Sequence, residues 1–246
     1  RGLLSDRYRR IDNLDVMSAV MPVLRERPDM QVRAQNLSEN HMHFQVFFPT
    51  LRADIGLGDV VTAGLTITNS ETGSSSFRSE LGLFRLVCLN GLIVNTGIKR
   101  YHVGRKMEDG DAAELFTDET LAADDHALML KIRDMVRGSL DEVAFMRHVE
   151  TARAAFGIEI ARPVATVEEV TRKLEIPGAK DRVLELLLDS SVPGVQEAGK
   201  TMWGMVNALT AFAKEQEFSK AIDIERQAGK LLALPGKQLL ELAEAA

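Results

Sequence analysis

The chain has 246 residues, 45% hydrophobic and 27% charged, with a formal net charge of −6. That is enough for one large domain or two small ones with a sizeable core, and the composition is that of a globular chain. No apolar run reaches the roughly 18 residues of a membrane-spanning helix, and the acidic balance speaks against a surface that clamps nucleic acid everywhere while leaving room for a local basic groove.

The first half reads as β-rich. Residues 31–37 form a short strand candidate, Ser38-Glu39-Asn40 a turn, and His41 to Phe48 a second strand that Pro49 ends. Along it Met42, Phe44, Val46 and Phe48 share one parity, and His41, His43, Gln45 and Phe47 the other. Residues 59–68 are rich in Val, Ile and Thr, which suit a pleated, half-buried surface. Asn69-Ser70-Glu71-Thr72-Gly73 is the strongest turn signal, and residues 75–81 return as a strand. Residues 82–89 suit a strand or a short helix. The spacing of Leu83, Leu86 and Val87 favours the helix, ending at Asn90-Gly91, with Ile93 to Val103 as a further strand.

From about Asp111 the periodicity turns helical. Leu128, Ile132, Met135 and Val136 mark one stripe. Ser139 with Glu142, and Thr166 with Glu169, have capping-box spacing. Pro177-Gly178, Pro193-Gly194 and Pro235-Gly236 break the pattern, each before a new helical run. The longest predicted helix covers 195–216, with Ala198, Met202, Val206, Leu209 and Ala213 on one face. The expected fold is α+β: an antiparallel, hairpin-rich sheet with a short packed helix, then a helical half. The expected partition is a β-rich domain over 1–110 and a helical domain over 111–246.

No phosphate loop, His-Glu-x-x-His helix or Gly-x-Ser-x-Gly elbow is present. His41 and His43 share a strand face but have no third ligand nearby in sequence, so no metal or other cofactor is expected. The single cysteine, Cys88, excludes an internal disulfide and reads as a small buried hydrophobe. An enzyme built on Cys88, His102 and a carboxylate lacks an activated nucleophile, so no enzyme is expected. Cysteine usage fits a cytoplasmic location. The chain opens on Arg1, which reads as a trimmed start, and shows no secretory leader pattern.

One cluster remains: Lys99, Arg100, Tyr101, His102, Arg105 and Lys106, with Arg78 and Arg85 able to join it from the neighbouring hairpin. Cations with an interleaved aromatic ring suit a track for a nucleic-acid backbone and its bases. The same run also suits a solvated edge strand, where Lys and Arg deter edge-to-edge pairing.

Four segments carry a resemblance. They are Ser5-Asp6-Arg7-Tyr8-Arg9-Arg10-Ile11-Asp12, Asn69–Gly73, Phe84-Arg85-Leu86-Val87-Cys88-Leu89-Asn90-Gly91-Leu92, and Met202-Trp203-Gly204-Met205-Val206-Asn207-Ala208-Leu209-Thr210. In order and spacing they resemble a phage/plasmid-related family whose domain is labelled as of unknown function. The third is similar to its Arg-x-x-Cys-x-Asn-Gly signature and the fourth to its Trp-Gly-x-x-Asn-Ala-x-Thr helix. One departure is Arg100-Tyr101-His102-Val103-Gly104, where that family's pattern has an Arg-His-Thr-like run. The resemblance implies a mobile-element context, and the hairpin sheet with a packed helix is similar to the core of single-strand annealing recombinases. The expectation is a single-stranded DNA-binding, strand-annealing homo-oligomer, ring or filament, without membrane contact. The alternative is a mobile-element structural or regulatory module that binds protein, with Trp203 on its apolar stripe.

Overall fold

The computed structural model describes residues 11–72, 74–85, 91–94, 98–100 and 117–245; for 98–100 it describes the backbone alone. The elements in chain order begin with α1 (Asn13–Arg25), β1 (Gln31–Leu37), β2 (Met42–Asp54), β3 (Val60–Asn69), β4 (Phe77–Arg85), β5 (Gly91–Ile93) and β6 (Ile98–Arg100). Helices follow: α2 (Asp118–Ser139), α3 (Glu142–Phe156), α4 (Pro163–Lys173), α5 (Lys180–Leu188), α6 (Val195–Ala198), α7 (Met202–Lys214), α8 (Phe218–Leu232) and α9 (Gly236–Ala243). The chain is α+β, with an antiparallel sheet first and helices after. The strands run β1-β2-β3-β4-β5, and β6 also pairs with β4. β5 sets Leu92 opposite Leu83, and β6 sets Lys99 opposite Arg78.

Contacts group the chain into two units, each assembled from several segments. The first comprises 1–46, 65–80 and 97–141; the second 47–64, 81–96 and 142–246. The grouping does not follow a single point in the chain, because β2, β3 and β4 each contribute to both units and α2 belongs to the first.

In the first unit α1 packs on α2. Val16, Val20, Val23 and Leu24 recur at helical spacing along α1 and are buried, as are Ile132, Met135 and Val136 of α2. Asn69 and Glu71 do more than lead into a turn. The amide of Asn69 donates to the Ile11 carbonyl at 2.9 Å and to Asn13 Oδ1 at 2.8 Å, and the Asn13 N–H donates to Glu71 at 2.8 Å. The last of these bonds answers an N–H that a helix start leaves open, and the other two tie Ile11 and Asn13 to Asn69. α1 is thus a short packed helix of the N-terminal half; of the helix expected over 82–89, residues 82–85 are strand and 86–89 lie outside the described residues.

Residues 82–85 continue β4 as strand. Leu81, Leu83 and Arg85 take one parity, Gly82 and Phe84 the other, and all are buried. A strand covered on both faces reads as a continuous apolar run, and such a run mimics helical spacing. Pro49 does not end β2, which continues to Asp54. Beyond Phe48 the strand is half-buried or exposed, a setting in which a missing N–H is tolerated.

The second unit holds the larger core, contributed by helices α3 to α9 and the segments of β2 to β5 that belong to it. α7 lies at its centre and is buried on nearly every side, Asn207 and Thr210 included. The predicted helix over 195–216 is interrupted. Gly199 adopts φ 61°, and residues 200–201 run alongside 158–160, where Ile160 N–H donates to Lys200 O and Met202 N–H to Ile158 O. Thr166 does not cap α4, which begins at Pro163; it is buried within that helix, and its hydroxyl donates to the Ala243 carbonyl at the end of α9 at 3.5 Å.

Candidate functional site

The second unit contains a knot of buried polar side chains. A tight loop joins β2 to β3: Ile55 N–H donates to Asp59 O and Asp59 N–H to Gly56 O, with Leu57 and Gly58 at φ 52° and 82°. The loop delivers Asp59 to the start of β3, where its side chain is wholly buried. Arg85 at the end of β4 donates its Nε–H to Asp59 Oδ1 at 2.5 Å, and the indole N–H of Trp203 donates to Asp59 Oδ2 at 2.7 Å. Arg85 Nη2 reaches Glu197 Oε2 at 3.2 Å, which also accepts the Gly194 N–H at 2.7 Å. Asn207 Nδ2 holds the Gly194 carbonyl at 3.2 Å.

Gly194 and Arg85 are closely fitted. A side chain at Gly194, whose φ is 98°, would put a Cβ 2.1 Å from Arg85 Nη1. Burial pushes the Asp59 carboxyl above its ordinary range, against the Trp203 N–H and the Arg85 charge, which pull it down. For Glu197 burial also acts upward, but the Gly194 N–H and Arg85 outweigh it and hold the carboxyl below its ordinary range. The linked pH effects have opposite signs. A raised folded value gives stability that is complete below the unfolded value and lost as pH rises through the folded one. A lowered folded value gives stability present above the unfolded value and lost as pH falls through the folded one. Asp59→Asn removes the first effect and keeps the second. Its melting temperature should therefore rise more steeply with pH across the acid range than that of the parent; a parallel profile would refute the assignment.

The first unit carries a different polar array. Arg33 Nη1 donates to Gln45 Oε1 at 2.7 Å, and Gln45 Nε2 donates to Thr66 Oγ1 at 3.2 Å. His43 Nδ1 lies 3.3 Å from Thr68 Oγ1; its ring stacks loosely on that of His41, centroids 5.8 Å apart; His41 Nε2 lies 3.5 Å from Ser74 Oγ. Among the described residues no three His, Cys, Asp or Glu side chains gather to hold a metal.

The predicted site residues separate. Arg78 is half-buried on β4, its Nε 3.5 Å from Ser76 Oγ. Lys99 stands opposite it in register, and Arg100 opposite Phe77. Arg85 does not join them: seven positions along one strand reverse the parity, and the residue is 3% exposed within the knot. Tyr101, His102, Arg105 and Lys106 lie outside the described residues, as does Cys88. The stripe through Met202, Val206 and Leu209, with Trp203 at 1% exposure, is core and not an outward patch.

Asp59 and Glu197 went unnoticed in the sequence, although a signal existed. Arg85 lies in an apolar run, and a charge with such neighbours demands a buried counter-ion. Asp59, between a Gly-rich loop and the apolar run of β3, was the natural partner.

The fold and its knot define an α+β protein in which Arg85, Trp203 and Asn207 join one interior network. The chain belongs to the family described as Domain of unknown function (DUF932), whose model matches residues 2–234. Neither the curated proteins nor the solved structures provide a match.

Proposed function

We propose that this is a single-stranded DNA-binding, strand-annealing protein of phage or plasmid type, acting as an oligomer without covalent chemistry. The observation that carries the reading is the register of β4 and β6, which sets Lys99 directly opposite Arg78; Arg100, opposite Phe77, has the other parity. Like charges facing each other across an antiparallel pair cost stability, and a polyanion lying over them offsets that cost. Tyr101, His102, Arg105 and Lys106 follow immediately in sequence and extend the cationic track. Arg85 has no part in it, because its charge is already answered by Asp59.

In this mechanism phosphates lie along the cations of β4 and β6, bases stay accessible, and a complementary strand pairs with them. Binding is salt-dependent and tolerant of sequence. Arg78→Gln and Lys99→Gln should each reduce the log–log salt slope for a labelled oligothymidylate by roughly 0.7, the share of one phosphate contact on a single strand. A double variant with the parental slope would remove the track from this edge. Mixing labelled complementary strands then separates annealing from binding alone.

A further inference from the structure

We propose that β1 is a dimerisation edge, at which a second copy of this chain adds its own β1 antiparallel across a two-fold axis. This goes beyond the nucleic-acid reading and stands without it. β1 closes the strand order, and among the described residues it pairs only with β2. It buries none of its seven residues, whereas β2, β3, β4 and β5 each bury several. Val32 is 50% exposed and Leu37 72%.

An open edge offers unpaired N–H and C=O groups to any strand that fits, and proteins deter this with lysine, proline or a covering element. The sequence of β1, QVRAQNL, has no lysine, no proline and no acid. β6, by contrast, carries Lys99 and Arg100. The β1 sequence is complementary to itself. With Ala34 on the axis, Arg33 meets Gln35, Val32 meets Asn36 and Gln31 meets Leu37. No like charges face one another. Head-to-tail addition of β1 to the β6 of another copy would instead bring Arg33 to Lys99 and Arg100. The two-fold arrangement is therefore the favoured one, and two-fold dimers are the commonest closed assemblies. Adding one seven-residue strand is a small interface, so the affinity should be micromolar.

Sedimentation velocity from about 1 to 100 µM should show a monomer–dimer equilibrium, the range in which small interfaces dissociate. Val32→Lys with Leu37→Lys charges two side chains that are exposed in the single subunit, so the circular dichroism should be unchanged and the dissociation constant at least tenfold weaker. Should that variant misfold, Ala34→Cys reads the same geometry, because mild oxidation should yield a covalent dimer through the axis. A monomer at every concentration, an equally tight dimer in the lysine variant, or no Ala34→Cys dimer each overturns the proposal. Open-ended growth without a dimer plateau overturns the two-fold.

Discussion

Arg85→Met is expected to cost about 3–5 kcal/mol in equilibrium unfolding, the range for breaking a buried ion pair from one side. The loss comes from what remains. Asp59 is wholly buried, and without Arg85 its charge is left to the Trp203 N–H, with Glu197 nearby as a second negative group. Adding Asp59→Asn to Arg85→Met should recover much of the loss, because the stranded charge is gone and the amide still accepts from the indole. Urea titration of the parent, both single variants and the double closes the cycle. A cost below about 1 kcal/mol for Arg85→Met would place the pair in the class of solvent-exposed bridges and contradict the knot. Retained DNA binding in a folded Arg85→Met variant is the companion expectation, since the guanidinium faces inward.

The second large effect is expected at Gly229. It lies in the last turns of α8, where Gly→Ala would ordinarily gain up to about 1 kcal/mol from helix propensity. Here the sign reverses. A Cβ at this position would stand 1.8 Å from the carbonyl oxygen of Ile93 and 2.8 Å from its carbon, so α8 rests directly on the backbone of β5. Neither neighbour is a side chain that can rotate away. Gly229→Ala should therefore cost about 3 kcal/mol, the upper part of the range for overpacking. Thermal or urea unfolding checks it, and a stabilised variant would mean that the helix does not approach the strand this closely.

What was legible in the sequence divides along physical lines. β1 ended where its alternation and turn residues place it, at Gln31 and Leu37, and β3 lies one residue from its expected span. Period-two patterns with turn chemistry at both ends determine such elements locally. The error over residues 82–85 has the opposite origin. That segment is buried on both faces, so it carries no alternation, and only its pairing in the sheet, with β5 among its partners, shows it to be a strand. The break at Gly199 depends on residues forty positions away, since 158–160 hold 200–201 extended. No window along the chain contains both. Asn69 and Glu71 were legible as a turn but not as the cap of α1, because a cap in another segment leaves no local trace. At the candidate site, residue types pointed to a cationic track, and strand parity then divided it, keeping Arg78 beside Lys99 and sending Arg85 inward.

The central claim is tested most directly by fluorescence anisotropy of a labelled oligothymidylate titrated with the intact protein at graded salt. Saturable binding at low salt is predicted, with an affinity that falls linearly on a log–log plot with the slope of several phosphate contacts and is matched by an oligonucleotide of mixed sequence. No anisotropy change at micromolar protein and low salt, or an affinity indifferent to salt, would contradict it.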